Sequence, residues 1–189
     1  MIFVQFISEA EFLRQSVCNE NIDPRLLTSV IKEAQEMRIQ TILGTSLYLQ
    51  IQSEITGTLS SPVKTLLDEY ILPALIQWSK YEATPELLFK ITNKSISVKT
   101  SENSNPISTG ELNILRDQIK NKAEWYSERL RKYLLANTAL FPNYLNPGIT
   151  VDALHPQRNV FDSGIFFNRL NSKGSFKDRF QGNIDSNCL

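Results

Sequence analysis

The chain has 189 residues, enough for one domain with an ordinary core, or for one domain and an arm. Apolar residues make up 41% and charged residues 21%, which argues against wholesale disorder. The 20 basic and 20 acidic side chains cancel, and no five like charges follow one another, so a protein that grips the DNA backbone through many phosphate contacts is not expected.

The opening MIFVQFI runs into Ser8, Glu9 and Glu11, too short and too acidic for a secretory leader. No apolar run approaches the ~20 residues of a membrane span, so a chain made in the cytoplasm is expected. Cys18 and Cys188 lie near opposite ends without metal-type spacing and read as free thiols.

Ile7-Ser8 followed by Glu11 predicts a capped helix over about 9–19, with Ser8 as cap and Ile7 as staple. In NIDPRLL, Asp23 caps and Pro24 takes the first helical position, where a missing N–H costs nothing. Leu27, Val30, Ile31, Ala34 and the neighbourhood of Met37–Arg38 keep a 3.6-residue stripe, and Gly44 suits the left-handed end of that helix. A short helix, SLYLQIQSEI, precedes the Gly57 loop.

Ser-Pro at 61–62 opens a central helix with a wide apolar face from Val63 to Trp78. Pro73 lies inside it and is expected to bend it. Residues 89–100 change period: Ile91, Ile96 and Val98 favour strands, and Asn93-Lys94 suits a turn, so a small β-hairpin is expected. Ser108 or Thr109 then opens the longest helix, to about Ala136, with Leu112, Leu115, Ile119, Tyr126, Leu130 and Tyr133 recurring at three- and four-residue steps. Glu128 and Lys132 make a favourable i,i+4 pair.

After Ala136 the texture changes. Residues 137–189 hold seven of the 18 aromatics, and neither helical nor strand periodicity survives Pro142, Pro147 and Pro156. The fold class expected is mostly α: a helical bundle with two long helices and a small β-hairpin over 1–136, then an extended aromatic C-terminal arm over 137–189.

Chemistry-bearing motifs are sparse. His155 is the only histidine, so any Ser-His-Asp or Cys-His arrangement would depend on it; it reads as an ordinary exposed or interface residue. No phosphate loop, dinucleotide fingerprint, HExxH or CxxC occurs, and GTSLY at 44–48 lacks the second glycine of a nucleophile elbow. Glu33 with Glu36, and Asp68 with Glu69, are candidate acid–base pairs for a small helical enzyme, though such groups on helices are usually solvated surface. Asn93-Lys94-Ser95 matches a glycosylation acceptor by chance. Trp78 and Trp125 read as core or helix–helix contacts. Phe176 and Phe180, interleaved with Lys177 and Arg179, offer a thin single-strand-binding alternative.

The order of elements, together with stretches such as VKTSENS and ERLRKYLLAN, resembles the head–tail connector (adaptor) proteins of tailed bacteriophages, particularly crAss-like and Bacteroides-phage types. The likeness covers about residues 1–145 and carries no catalytic signature. It implies a non-enzymatic virion protein at the head–tail interface, present in the host cytoplasm before assembly. It further implies a ring of about twelve copies in cyclic symmetry below the portal protein. Tail or second-ring proteins would be further partners, and DNA would pass through the channel without tight binding; no cofactor, metal or membrane is implied.

The stretch FDSGIFF at 161–167 then reads as a docking segment. Burying Phe161, Ile165, Phe166 and Phe167 is worth about 1.5–3 kcal/mol each before ordering costs. Phe176 and Phe180 are further interface candidates.

Overall fold

The computed structural model describes residues 3–16, 22–91, 96–98, 108–145 and 154–158, all within one compact unit, Met1–Arg158. The described chain is mostly helical. Helix α1 is Glu9–Gln15, where the Ser8 hydroxyl accepts from the Glu11 N–H at 3.2 Å. The Glu11 carboxylate does not close the box; it takes Arg14 and Gln15 instead. Helix α2, Pro24–Ala34, has Asp23 as its cap and buries Leu27, Val30, Ile31 and Ala34 of the expected stripe, but the stripe does not continue to Met37, which is exposed beyond the change of helical pitch at Gln35.

From Gln35 to Ile39 the helix widens into a π-turn before α3, Gln40–Leu43. The π-turn opens on Gln35, which is fully buried. Its Oε1 accepts from the Phe6 N–H at 2.8 Å, and its Nε2 donates to the Val4 carbonyl and the Tyr48 hydroxyl, each at 2.9 Å. Gln52 adds a donor to the same carbonyl. The extended N-terminal stretch is thus stitched to the bundle by side-chain amides.

Gly44 separates α3 from α4, Thr45–Thr56, with φ 75° and ψ 155°, a region essentially closed to side chains. An added Cβ would also meet the Pro156 ring at 2.7 Å.

Helix α5, Ser61–Leu66, passes through a second π-turn, Leu67–Ile71, into α6, Leu72–Leu88. Pro73, expected to bend a single helix, therefore sits just after a widened turn. Its ring cannot serve the carbonyl four residues back, that of Glu69, and Arg129 donates there instead at 3.3 Å. Beyond α6, strands β1 (Phe89–Ile91) and β2 (Ile96–Val98) pair antiparallel, with Phe89 opposite Val98. The rest of the 89–100 hairpin lies outside the described residues.

Helix α7, Thr109–Ala136, opens on a complete capping box between Ser108 and Glu111. Its buried stripe is Leu112, Ile119, Ala123, Ser127, Leu130, Arg131 and Leu134. It packs chiefly on α6 and the second π-turn.

Helix α8, Pro142–Leu145, follows, with Phe141 and Tyr144 fully buried. Both belong to the stretch that the sequence assigns to the arm. Residues 154–158 lie across the α3–α4 break: Leu154 exchanges bonds with Thr45, the Gln157 N–H donates to the Thr41 carbonyl, and Arg131 donates to the Gln157 carbonyl. Arg158 caps α8 at the Tyr144 and Leu145 carbonyls. The described part of 137–189 is therefore built into the helical unit. Aromatic burial and backbone pairing hold it there without periodicity.

Candidate functional site: an apolar groove between two helices

Side-chain contacts tie α6 to α7 and to the first π-turn. The Trp78 indole N–H donates to the Ser127 hydroxyl at 2.8 Å in the core. Arg38 lies 4.4 Å over the Trp78 ring and pairs with Glu82 at 3.1 Å, tying the first π-turn to α6. Arg116 covers Tyr81 from the α7 side at 4.3 Å.

Beyond this clamp the two helices leave an open trough. The C-terminal half of α6 and the N-terminal half of α7 line a cavity of about 470 Å³, with Leu112 and Ile119 near its floor and Leu87 and Leu115 on its walls. Lys80 and Lys122 also line it, and their alkyl stems add to its apolar surface. Lys122 also lines a second depression of about 560 Å³, with Gln77, Asn121, Trp125 and Tyr126. There the Trp125 ring is 61% exposed and stands edge-on to Tyr126, centroids 4.9 Å apart at 87°. The Gln77 Oε1 is buried and accepts no hydrogen bond, leaving an acceptor beside the groove.

Such a site suits binding. It presents apolar walls, an exposed indole, one unused acceptor and two cations, the composition of an interface centre with a polar rim.

The sequence-derived candidates fall elsewhere. Phe161, Ile165, Phe166, Phe167, Phe176 and Phe180 lie outside the described residues, as do Cys18, Cys188 and Asn93-Lys94-Ser95. Glu33, Glu36, Asp68 and Glu69 are exposed and none lines the groove; Glu36 pairs with Lys32. His155 is exposed on the 154–158 segment. Trp78 is core as expected, whereas Trp125 and Leu115 are surface. A signal for Trp125 was present: it stands two residues after Ala123, about 200° around the helix from the buried stripe. Among the described residues no three metal-ligating side chains cluster, and no helix is long and apolar enough to cross a membrane.

Fold and site thus define a mostly helical protein with an open apolar groove. The chain belongs to the Family of unknown function (DUF6712), whose family model matches residues 39–152, more than half of the chain and all of the groove. No curated protein and no solved structure matches it.

Proposed function

We propose that this protein is a structural subunit of a tailed-phage head–tail connector, a ring component below the portal that joins capsid to tail and prolongs the DNA channel. The observation that carries the reading is the open groove on a clamped helix pair. Large apolar side chains held in water on one face mark a surface meant for a partner, and in a ring that partner is first of all the neighbouring copy. The resemblance of the first 145 residues to connector proteins supports the same reading, and so does zero net charge, since a conduit must not hold its DNA.

In this reading the hairpin over 89–100 offers a short strand edge to a neighbour, and residues 159–189 serve as an extended arm. Each joint is weak alone, and closure of the ring makes the joints avid together. Portal and tail proteins would contact the two faces of the ring.

Native mass spectrometry of the full chain and of a chain ending at Arg158 tests this. The full chain should give a ring-sized species, alone or on addition of the portal protein; the shortened chain should remain folded and monomeric. A full chain that stays monomeric with the portal protein present would remove the connector reading.

A further inference from the structure

We infer that Tyr70 and Tyr133 form an oxidative crosslinking site, at which a one-electron oxidant joins the two phenols into a dityrosine that fastens the second π-turn to α7. The inference stands apart from the proposed ring. The two rings stack with centroids 3.9 Å apart at 17°, so their carbons are already in van der Waals contact.

The two elements hold this pair in place. Arg129 and Tyr133 stand four residues apart on α7 and share one face of it. Tyr70 reaches them from the π-turn, where the Arg129 guanidinium lies 4.7 Å over its ring and donates to the Glu69 carbonyl at 3.3 Å. A stack at 3.9 Å leaves no room for a guanidinium between the rings, so Arg129 covers the opposite face of Tyr70. The next ring beyond Tyr133 is Phe141, centroids 6.1 Å apart, and it carries no phenol.

The same geometry sets Tyr70 and Tyr133 apart from the other four tyrosines. Tyr48 tilts against Phe6 and accepts from Gln35, Tyr81 meets Trp78, Tyr126 meets Trp125, and Tyr144 is fully buried. Among the described residues Tyr70 and Tyr133 make the one contact between two tyrosine rings, and both are half-buried, within reach of a small oxidant in solution. Burial, then Tyr70 and Glu69, hold the Tyr133 hydroxyl above its ordinary pKa, so the phenol is protonated at neutral pH and its oxidation must release a proton.

In the step itself each phenol gives one electron to the oxidant and its O–H proton to water. The two tyrosyl radicals then couple through one ortho carbon of each ring, forming a C–C bond. The hydrogen on each bonded carbon moves to the oxygen of its own ring and restores the phenol. Two electrons and two protons leave in all, and two equivalents of a one-electron acceptor, such as a peroxide-derived radical, are reduced. The bond closes the chain between positions 70 and 133, which restricts the unfolded state as any covalent crosslink does.

Photo-oxidation of the dilute full-length protein with tris(bipyridine)ruthenium(II) and persulfate tests the inference, read by intact mass, dityrosine fluorescence and peptide mapping. The expected product is a single chain lacking two hydrogens, with the peptide of Tyr70 joined to that of Tyr133. Tyr70→Phe and Tyr133→Phe keep the stacked ring and remove the phenol, so each should retain the wild-type helical signal and lose this product. Tyr126→Phe should retain it. The crosslinked protein should also need more urea to unfold than Tyr70→Phe treated in the same way. Crosslinks spread over Tyr81 and Tyr126, crosslinks found only between chains, or none at all would overturn the site, as would a yield that survives Tyr70→Phe. Equal unfolding midpoints for the crosslinked protein and the treated Tyr70→Phe variant would overturn the fastening of the π-turn to α7.

Discussion

Gln35 occupies a core position with a polar side chain and satisfies every bond it can reach. Its amide joins the Phe6 N–H, the Val4 carbonyl and the Tyr48 hydroxyl, three groups that helix geometry alone would leave without a partner. Burial raises the Tyr48 hydroxyl pKa, and the bond to Gln35 opposes that rise. Gln35→Leu keeps the volume and removes the bonds. Each buried group left unpaired costs about 1–3 kcal/mol, so a loss of at least about 2 kcal/mol is expected in urea denaturation. Hydrogen exchange at Phe6 should accelerate before the rest of the bundle opens. An unchanged midpoint with a protected Phe6 amide would mean that the N-terminal stretch is held by its apolar contacts alone.

At the scale of the element, α7 depends on how it starts. The Ser108 hydroxyl, then its backbone N–H, hold the Glu111 carboxyl below the ordinary glutamate value. The unfolded chain therefore takes up that proton at higher pH than the folded one. The contribution is present above the unfolded value, near 4.3, and is lost as pH falls through the lower folded value. Glu111→Gln retains a capping amide but no charge facing the positive helix end. The variant should melt below the wild type at neutral pH, and the gap should close between about pH 5 and pH 3. A gap that stays constant across that range would place the effect in hydrogen-bond geometry and not in the charge.

At the scale of the whole molecule, the helical unit runs on to Arg158, past the change in sequence texture after Ala136. Phe141 and Tyr144 fill the core, and residues 154–158 supply backbone partners to Thr41 and Thr45 at the α3–α4 break. Pro156 rests on Gly44, where no larger residue fits. A chain ending at Arg158 should melt within a few degrees of the full protein, since it keeps all of these contacts. One ending at Leu145 loses the Leu154, Gln157 and Arg158 bonds. At about 1 kcal/mol each, their loss should lower the melting temperature by several degrees. Equal melting of the two shortened chains would show that the 154–158 segment adds nothing to the body.

The helices were legible in the chain itself. Caps at Ser8, Asp23 and Ser108, the N1 proline at 24 and the stripe Leu27–Ala34 are local signals, and local backbone chemistry determines helix starts and faces. What lay between helices was not legible. Whether Leu115 and Trp125 meet another helix or water depends on where α6 ends beside α7, and no periodicity records that. One π-turn opens on the buried amide of Gln35 and the other ends two residues before Pro73, and no periodicity announces either. The burial of Phe141 and Tyr144 depends on a space left by other elements. The sequence determined by itself which segments coil and which faces are apolar. The tertiary structure alone decided which of those faces remained uncovered, because a groove is made by the packing of two elements and belongs to neither.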